Sequence, residues 1–191
     1  MFRLFAELLE YPGPGVREAA QECEALVAQE DSEAAALFAR FRAFVENTPR
    51  HRVEEVYSAT FDLDASCHPY VGYHLFGETY KRSVFLLELK QRYEPAGLDV
   101  GRELPDHLAL VLRFAGAQTD PAALGELVHK ALLPALDRMT GRARSAGYDE
   151  DESPRPEPGA AAHAPYRALL DALRLVLQRV PVAPSPAVIE S

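Results

Sequence analysis

A chain of 191 residues with 48% apolar side chains is long enough for one domain with a full core and needs no disulfide or metal to fold. Its formal net charge of -9 argues against a nucleic-acid binder, which needs a basic face to displace counterions, and suits a partner that carries a basic segment. Cys23 and Cys67 show neither CxxC nor framework spacing, so the sequence predicts a reducing, cytoplasmic setting.

Trp is absent and Leu and Ala dominate, a bias that favours helices over strands. Phe2, Phe5, Leu8 and Leu9 form one helical stripe, broken along the chain by Arg3, Glu7 and Glu10, so the opening has no signal-peptide core. Pro12 to Gly15 ends it. Val16 to Gln29 is Ala- and Glu-rich and reads as helix. Asp31 or Ser32 caps the next helix, whose buried face is Leu37, Phe38, Phe41, Phe44 and Val45. Thr48-Pro49 is a start signal, with Thr48 as cap and Pro49 as first helical residue. The helix that follows sets Val53, Val56, Tyr57, Thr60 and Phe61 together.

A loop then carries Cys67-His68-Pro69, and a helix from about Pro69 bends or breaks at Gly77. From Glu78 to Arg92 the pattern is helical, with Tyr80, Val84, Phe85, Leu87, Leu89 and Tyr93 available for burial. Pro105 opens another helix, with Asp106 set against its positive N-terminal end. Asp120-Pro121 repeats the cap-plus-proline signal, and Pro134 should kink or divide the rod that follows. No apolar run approaches the roughly 20 residues a membrane span requires. The expected fold is all-α, a single-domain bundle of roughly seven to nine helices. Residues 1–146 are the main bundle, 147–163 an acidic, Pro-rich flexible insert, 164–180 a C-terminal helix restarted near Pro165, and 181–191 a disordered tail.

Enzyme signatures are weak. His74 and Glu78 stand at i, i+4 with His68 and Cys67 nearby, which are metal-ligand types, but the spacing matches no established motif. A helical metal- or cofactor-binding protein using Cys67, His68 and His74 is the alternative reading. Gly72 and Gly77 have the glycine spacing of a phosphate loop, yet Glu78 stands where that loop needs Lys, and a carboxylate repels phosphate. No nucleophile with an activating partner is evident. The remaining feature is an aromatic set, Tyr57, Phe61, Tyr70, Tyr73, Phe76 and Tyr80, interleaved with His68, His74, Glu78, Lys81 and Arg82. It reads either as core or as a half-wet groove that accepts an amphipathic peptide helix.

Those same residues carry a resemblance. Tyr57-x3-Phe61-Asp62-Leu63, Cys67-x2-Tyr70-x2-Tyr73-His74-Leu75-x-Gly77-Glu78-Thr79-x-Lys81-Arg82, Leu87-x-Leu89-Lys90-x2-Tyr93 and Glu103-Leu104-Pro105-Asp106-His107-Leu108 follow one another in order. With Leu8-Leu9-Glu10-Tyr11-Pro12 and Pro165-Tyr166-x2-Leu169-Leu170, the set resembles the NarJ-type nitrate reductase assembly chaperones, part of a wider family of molybdoenzyme-specific chaperones. The resemblance implies a cytoplasmic, all-helical, non-catalytic protein without a cofactor of its own. It implies binding to the N-terminal segment of the apo catalytic subunit of a nitrate reductase and support of molybdenum cofactor insertion before membrane attachment. The residues expected to bind that peptide are Asp62, Tyr70, Tyr73, His74, Glu78, Arg82, Asp106 and His107, with Asp62, Asp64, Glu78 and Asp106 attracting its basic residues. His74 is expected to make that binding pH-sensitive. The expected state is a monomer or a helix-swapped dimer, with no direct membrane insertion.

Overall fold

The computed structural model describes residues 1–63, 67–143 and 160–182. Asp64, the acidic stretch 147–159 and the tail from residue 183 lie outside them. Every regular element among the described residues is a helix, as the Leu- and Ala-rich composition predicts. Helix α1 is Phe2–Leu8, α2 Val16–Glu30, α3 Ser32–Asn47 and α4 Arg50–Phe61. Then come α5 Val71–Phe76, α6 Tyr80–Tyr93 and α7 Leu108–Ala117. A continuous rod follows, built from α8 Pro121–Leu127, a π turn Val128–Leu132 and α9 Leu133–Met139. Helix α10 is Ala160–Gln178.

Helix α3 is flanked by α2 and α10, α1 packs on α7 and α2, and α10 also reaches α4 and α9. The core is a chain of edge-to-face and tilted rings. Phe5 meets Phe38 at 5.6 Å, Phe38 meets Phe41 at 6.0 Å, and Phe41 meets Tyr166 at 5.2 Å. Tyr166 also touches Tyr57 at 5.6 Å and Phe61 at 5.2 Å, so α1, α3, α4 and α10 share one aromatic centre.

Two expected caps form as the chemistry dictates. Asp31 accepts from the Glu33 and Ala34 amides at 2.8 and 2.9 Å, and Asp120 accepts from the Ala122 amide at 2.9 Å with Pro121 opening α8. Thr48 is not a cap. Pro49 takes that position and Arg50 starts α4, while the Thr48 carbonyl accepts from Arg17 Nη2 at 3.2 Å. Pro69 does not start α5, because Tyr70 is drawn into an antiparallel bridge with His107. The Val71 amide donates to the Asp106 carbonyl at 2.8 Å and the Leu108 amide to the Pro69 carbonyl at 2.7 Å. Nor does Pro105 open α7, which begins at Leu108 with His107 as its cap.

Pro134 does not divide its rod. The π turn widens the helix immediately ahead of Leu133, so the missing Pro134 N–H and the bulk of its ring are absorbed without a break. Helix α10 begins upstream of Pro165, which lies inside it. The largest difference from expectation is α6. Tyr80, Val84 and Leu87 are 83%, 38% and 57% exposed, because α6 lies at the rim with α5 as its main helical neighbour.

Candidate functional site

The site is built where three short segments converge: the end of α4, the turn into α5, and the loop before α7. Gly77 ends α5 with φ +60° and ψ -159°, a conformation open to little besides glycine, and this turns the chain so that α6 lies against α5. From α6, Arg82 reaches Asp106. Nε donates to Oδ2 at 2.9 Å and Nη2 approaches Oδ1 at 3.4 Å. Asp106 has no exposed surface and the Arg82 side chain is 15% exposed, so the pair is nearly sealed. The guanidinium carbon stands 5.6 Å from the Tyr70 ring centre and 5.8 Å from that of Tyr73, a cation held by two aromatic faces as well as by its carboxylate. Gly72 permits this approach, since a Cβ there would stand 2.8 Å from Asp106 Oδ2.

Around this pair the expected residues fall into two layers. Tyr70, Tyr73 and Arg82 are partly exposed, and Asp62 and Glu78 are fully on the surface, Glu78 at the α5–α6 corner. His74 and Asp106 are wholly buried and His107 nearly so; in this conformation they lie beneath the surface and cannot line it. His107 Nδ1 accepts from the Ala109 amide at 3.2 Å, and its ring stands edge-on to Tyr70 at 5.7 Å. His74 Nε2–H donates to the His68 carbonyl at 2.7 Å. Burial lowers the His74 pKa to about 4, with the hydrogen bond to the His68 carbonyl opposing that fall. Its titration therefore falls far below physiological pH, against the expectation of a pH sensor.

The metal reading finds no support in the geometry. His68 Nδ1–H donates to the Phe61 carbonyl at 3.2 Å, and no three His, Cys, Asp or Glu side chains gather as a metal site among the described residues.

Sequence reasoning missed part of the surface. Tyr11, Leu63 and Leu104 are 59%, 82% and 44% exposed, and each directly follows an acid: Glu10, Asp62 and Glu103. The three acids converge on one point. Burial raises the Tyr57 hydroxyl pKa, and the charges of Asp62, Glu103 and Glu10 raise it further. That hydroxyl donates to the Leu9 carbonyl at 3.2 Å, and the Tyr11 ring meets the Tyr57 ring at 5.6 Å. Tyr70 belongs to the same neighbourhood. Its pKa is raised by burial and then by Glu103 and Asp106, with Arg82 opposing and Asp62 adding a smaller increment. Glu10 pairs with Arg113 at 2.7 Å, whereas Asp62 and Glu103 make no ion pair among the described residues. The signal in the sequence is an acid followed by a large apolar residue at three element ends.

Two hollows adjoin this patch. One, of about 840 Å³, is walled by α1 and α7 and includes Phe2, Glu10 and Arg113. The other, of about 790 Å³, includes Tyr93, Glu103 and Pro105. Leu98 borders both, and Glu10 lines the first and Glu103 the second. Among the described residues no helix is long and apolar enough to cross a membrane.

Residues 27–141, more than half of the chain, match the family described as the nitrate reductase delta subunit. A probable nitrate reductase molybdenum cofactor assembly chaperone, NarJ, of Bacillus subtilis is 39% identical over 44% of this chain and 45% of its own length. The Escherichia coli K12 assembly chaperone NarJ is 30% identical over 73% of this chain and 60% of its own. The probable chaperone NarW of the same organism is 25% identical over 91% of this chain and 66% of its own. The chain thus spans about half to two thirds of the length of these relatives. With an all-helical fold and residues 27–141 matched, the chain belongs to the nitrate reductase delta subunit family, whose relatives named here are molybdenum cofactor assembly chaperones.

Proposed function

We propose that this protein is a dedicated, non-catalytic assembly chaperone that binds the N-terminal segment of the apo catalytic subunit of a nitrate reductase. It acts in the cytoplasm, holding that segment while the molybdenum cofactor is inserted and before the enzyme attaches to the membrane. The observation that carries this reading is the exposed patch of Tyr11, Leu63 and Leu104, each beside an acid, next to the partly exposed Tyr70 ring. Apolar side chains that stay in water at this cost suit a partner that covers them. Asp62 and Glu103 suit basic residues flanking the apolar residues of that partner, and they steer its approach. Tyr70 and Tyr73 offer faces that are apolar in body and polar at the tip. His74, Asp106 and His107 serve by fixing the position of these rings rather than by touching the peptide.

The test is titration calorimetry of the full chain with a synthetic peptide of the client's first residues, against a scrambled peptide of equal charge. The parent protein is expected to bind the native order preferentially. Asp62→Lys with Glu103→Lys is expected to weaken binding about tenfold or more and to flatten its salt dependence. Equal affinity for the two peptides, or an unchanged affinity in the double variant, would overturn the assignment.

A further inference from the structure

Helix α6 carries a second apolar surface, on the face opposite Arg82. Tyr80, Val84 and Leu87 recur at intervals of four and three residues, the spacing of a coiled-coil seam, and Gln91 continues it. All three apolar side chains are exposed, Tyr80 at 83%. The inward side of the helix is held by Arg82 through Asp106, by the buried Leu89, and by Tyr93, whose hydroxyl donates to the Pro105 carbonyl at 2.8 Å. The seam is therefore presented on a fixed element and is not a consequence of fraying.

The flanks of the seam say what covers it. Lys81 and Glu88 are exposed, make no ion pair among the described residues, and lie seven positions apart along the same flank. In an antiparallel helix pair, the same flank of one copy meets the same flank of the other. Crossing midway between Val84 and Leu87 sets Lys81 of each copy against Glu88 of its mate, twice by symmetry, with Val84 over Leu87 and Tyr80 over Gln91. The opposite flank then brings Ser83 against Lys90, which adds no like-charge clash. The pattern is self-complementary in apolar spacing and in charge.

We infer that the outer face of α6 is a self-association surface that pairs two copies of this chain antiparallel through Tyr80, Val84 and Leu87. The seam has three apolar positions per copy, so the dimer lies at the weak, transient end of specific interfaces. It is separate from the client patch, which borders α6 only at Arg82, on the face opposite the seam.

Sedimentation equilibrium of the full chain, from about 1 to about 500 μM, tests it. The expected result is a concentration-dependent dimer. Leu87→Glu should weaken it at least tenfold while leaving the far-ultraviolet spectrum and thermal transition in place. Lys81→Glu alone and Glu88→Lys alone should each weaken self-association several-fold, since each sets like charges together twice. An equimolar mixture of those two variants should form a mixed dimer at least as tight as the parent's, because both cross-pairs are then opposite in charge. A parent that stays monomeric throughout, a dimer unaffected by Leu87→Glu, or charge variants that fail to rescue one another would each overturn the inference. So would a Leu87→Glu variant whose mass is unchanged but whose client-peptide affinity falls, since that face would then belong to the client.

Discussion

Gly72 faces the Arg82–Asp106 pair from α5, and an added Cβ would stand 2.8 Å from Asp106 Oδ2, 2.9 Å from Phe85 Cδ1 and 3.3 Å from Arg82 Cγ. Two effects of opposite sign meet there. Alanine within a helix is favoured over glycine by roughly 0.5–1 kcal/mol. Displacing the acid from its cation threatens a nearly sealed ion pair, whose disruption costs about 3–5 kcal/mol. The steric term wins, and Gly72→Ala should lower stability by roughly 2 kcal/mol in urea denaturation. The same substitution in an Asp106→Ala background should cost less, because one of the colliding groups is gone. Equal costs in the two backgrounds would mean that Phe85, and not the ion pair, sets the limit.

At the scale of elements, the corner between α5 and α6 depends on Gly77, with φ +60° and ψ -159°. Gly77→Ala should cost about 1–3 kcal/mol while leaving helix content unchanged, read by denaturation together with circular dichroism. Such a loss would show that the corner, and with it the reach of Arg82, is set by the backbone. Helix identity was legible in the sequence because periodicity is local: Phe38, Phe41 and Val45 mark the buried side of α3 whatever α3 packs against. Starts governed by a side-chain cap were legible too, as at Asp31 and Asp120. The errors came where a distant partner decides. Pro69 and Pro105 read as helix openers, but pairing between the Pro69–Val71 and Asp106–Leu108 segments holds both stretches extended or turned. Tyr80, Val84 and Leu87 read as available for burial, yet they are exposed, because an apolar stripe does not say whether a neighbour exists to cover it. The aromatic cluster was legible as a group, yet its division into the core rings Tyr57 and Phe61 and the half-exposed Tyr70 and Tyr73 depends on where α10 brings Tyr166.

The whole molecule should lose stability towards acid, and the histidines give the window. The His74 pKa falls from 6.5 to about 4 on folding, and burial lowers that of His107 as well. The unfolded chain therefore binds more protons below the ordinary histidine value, so this stability is complete above about pH 6.5 and drains as pH falls towards 4. For His74 alone the loss between about pH 7.5 and about pH 5 is on the order of 2 kcal/mol. Urea denaturation at the two pH values should show it in the parent and a smaller loss in His74→Gln; equal losses would place the acid sensitivity elsewhere. A different property follows from the way the last helix closes the core. Tyr166 of α10 supplies the ring that joins Phe41 of α3 to Tyr57 and Phe61 of α4, and Arg179 fastens to Asp31 at 2.8 Å. During synthesis, α3 and α4 leave the ribosome long before the segment that covers them. The nascent chain must carry an uncovered aromatic face until translation has passed α10, so the aromatic core cannot close before Tyr166 has emerged.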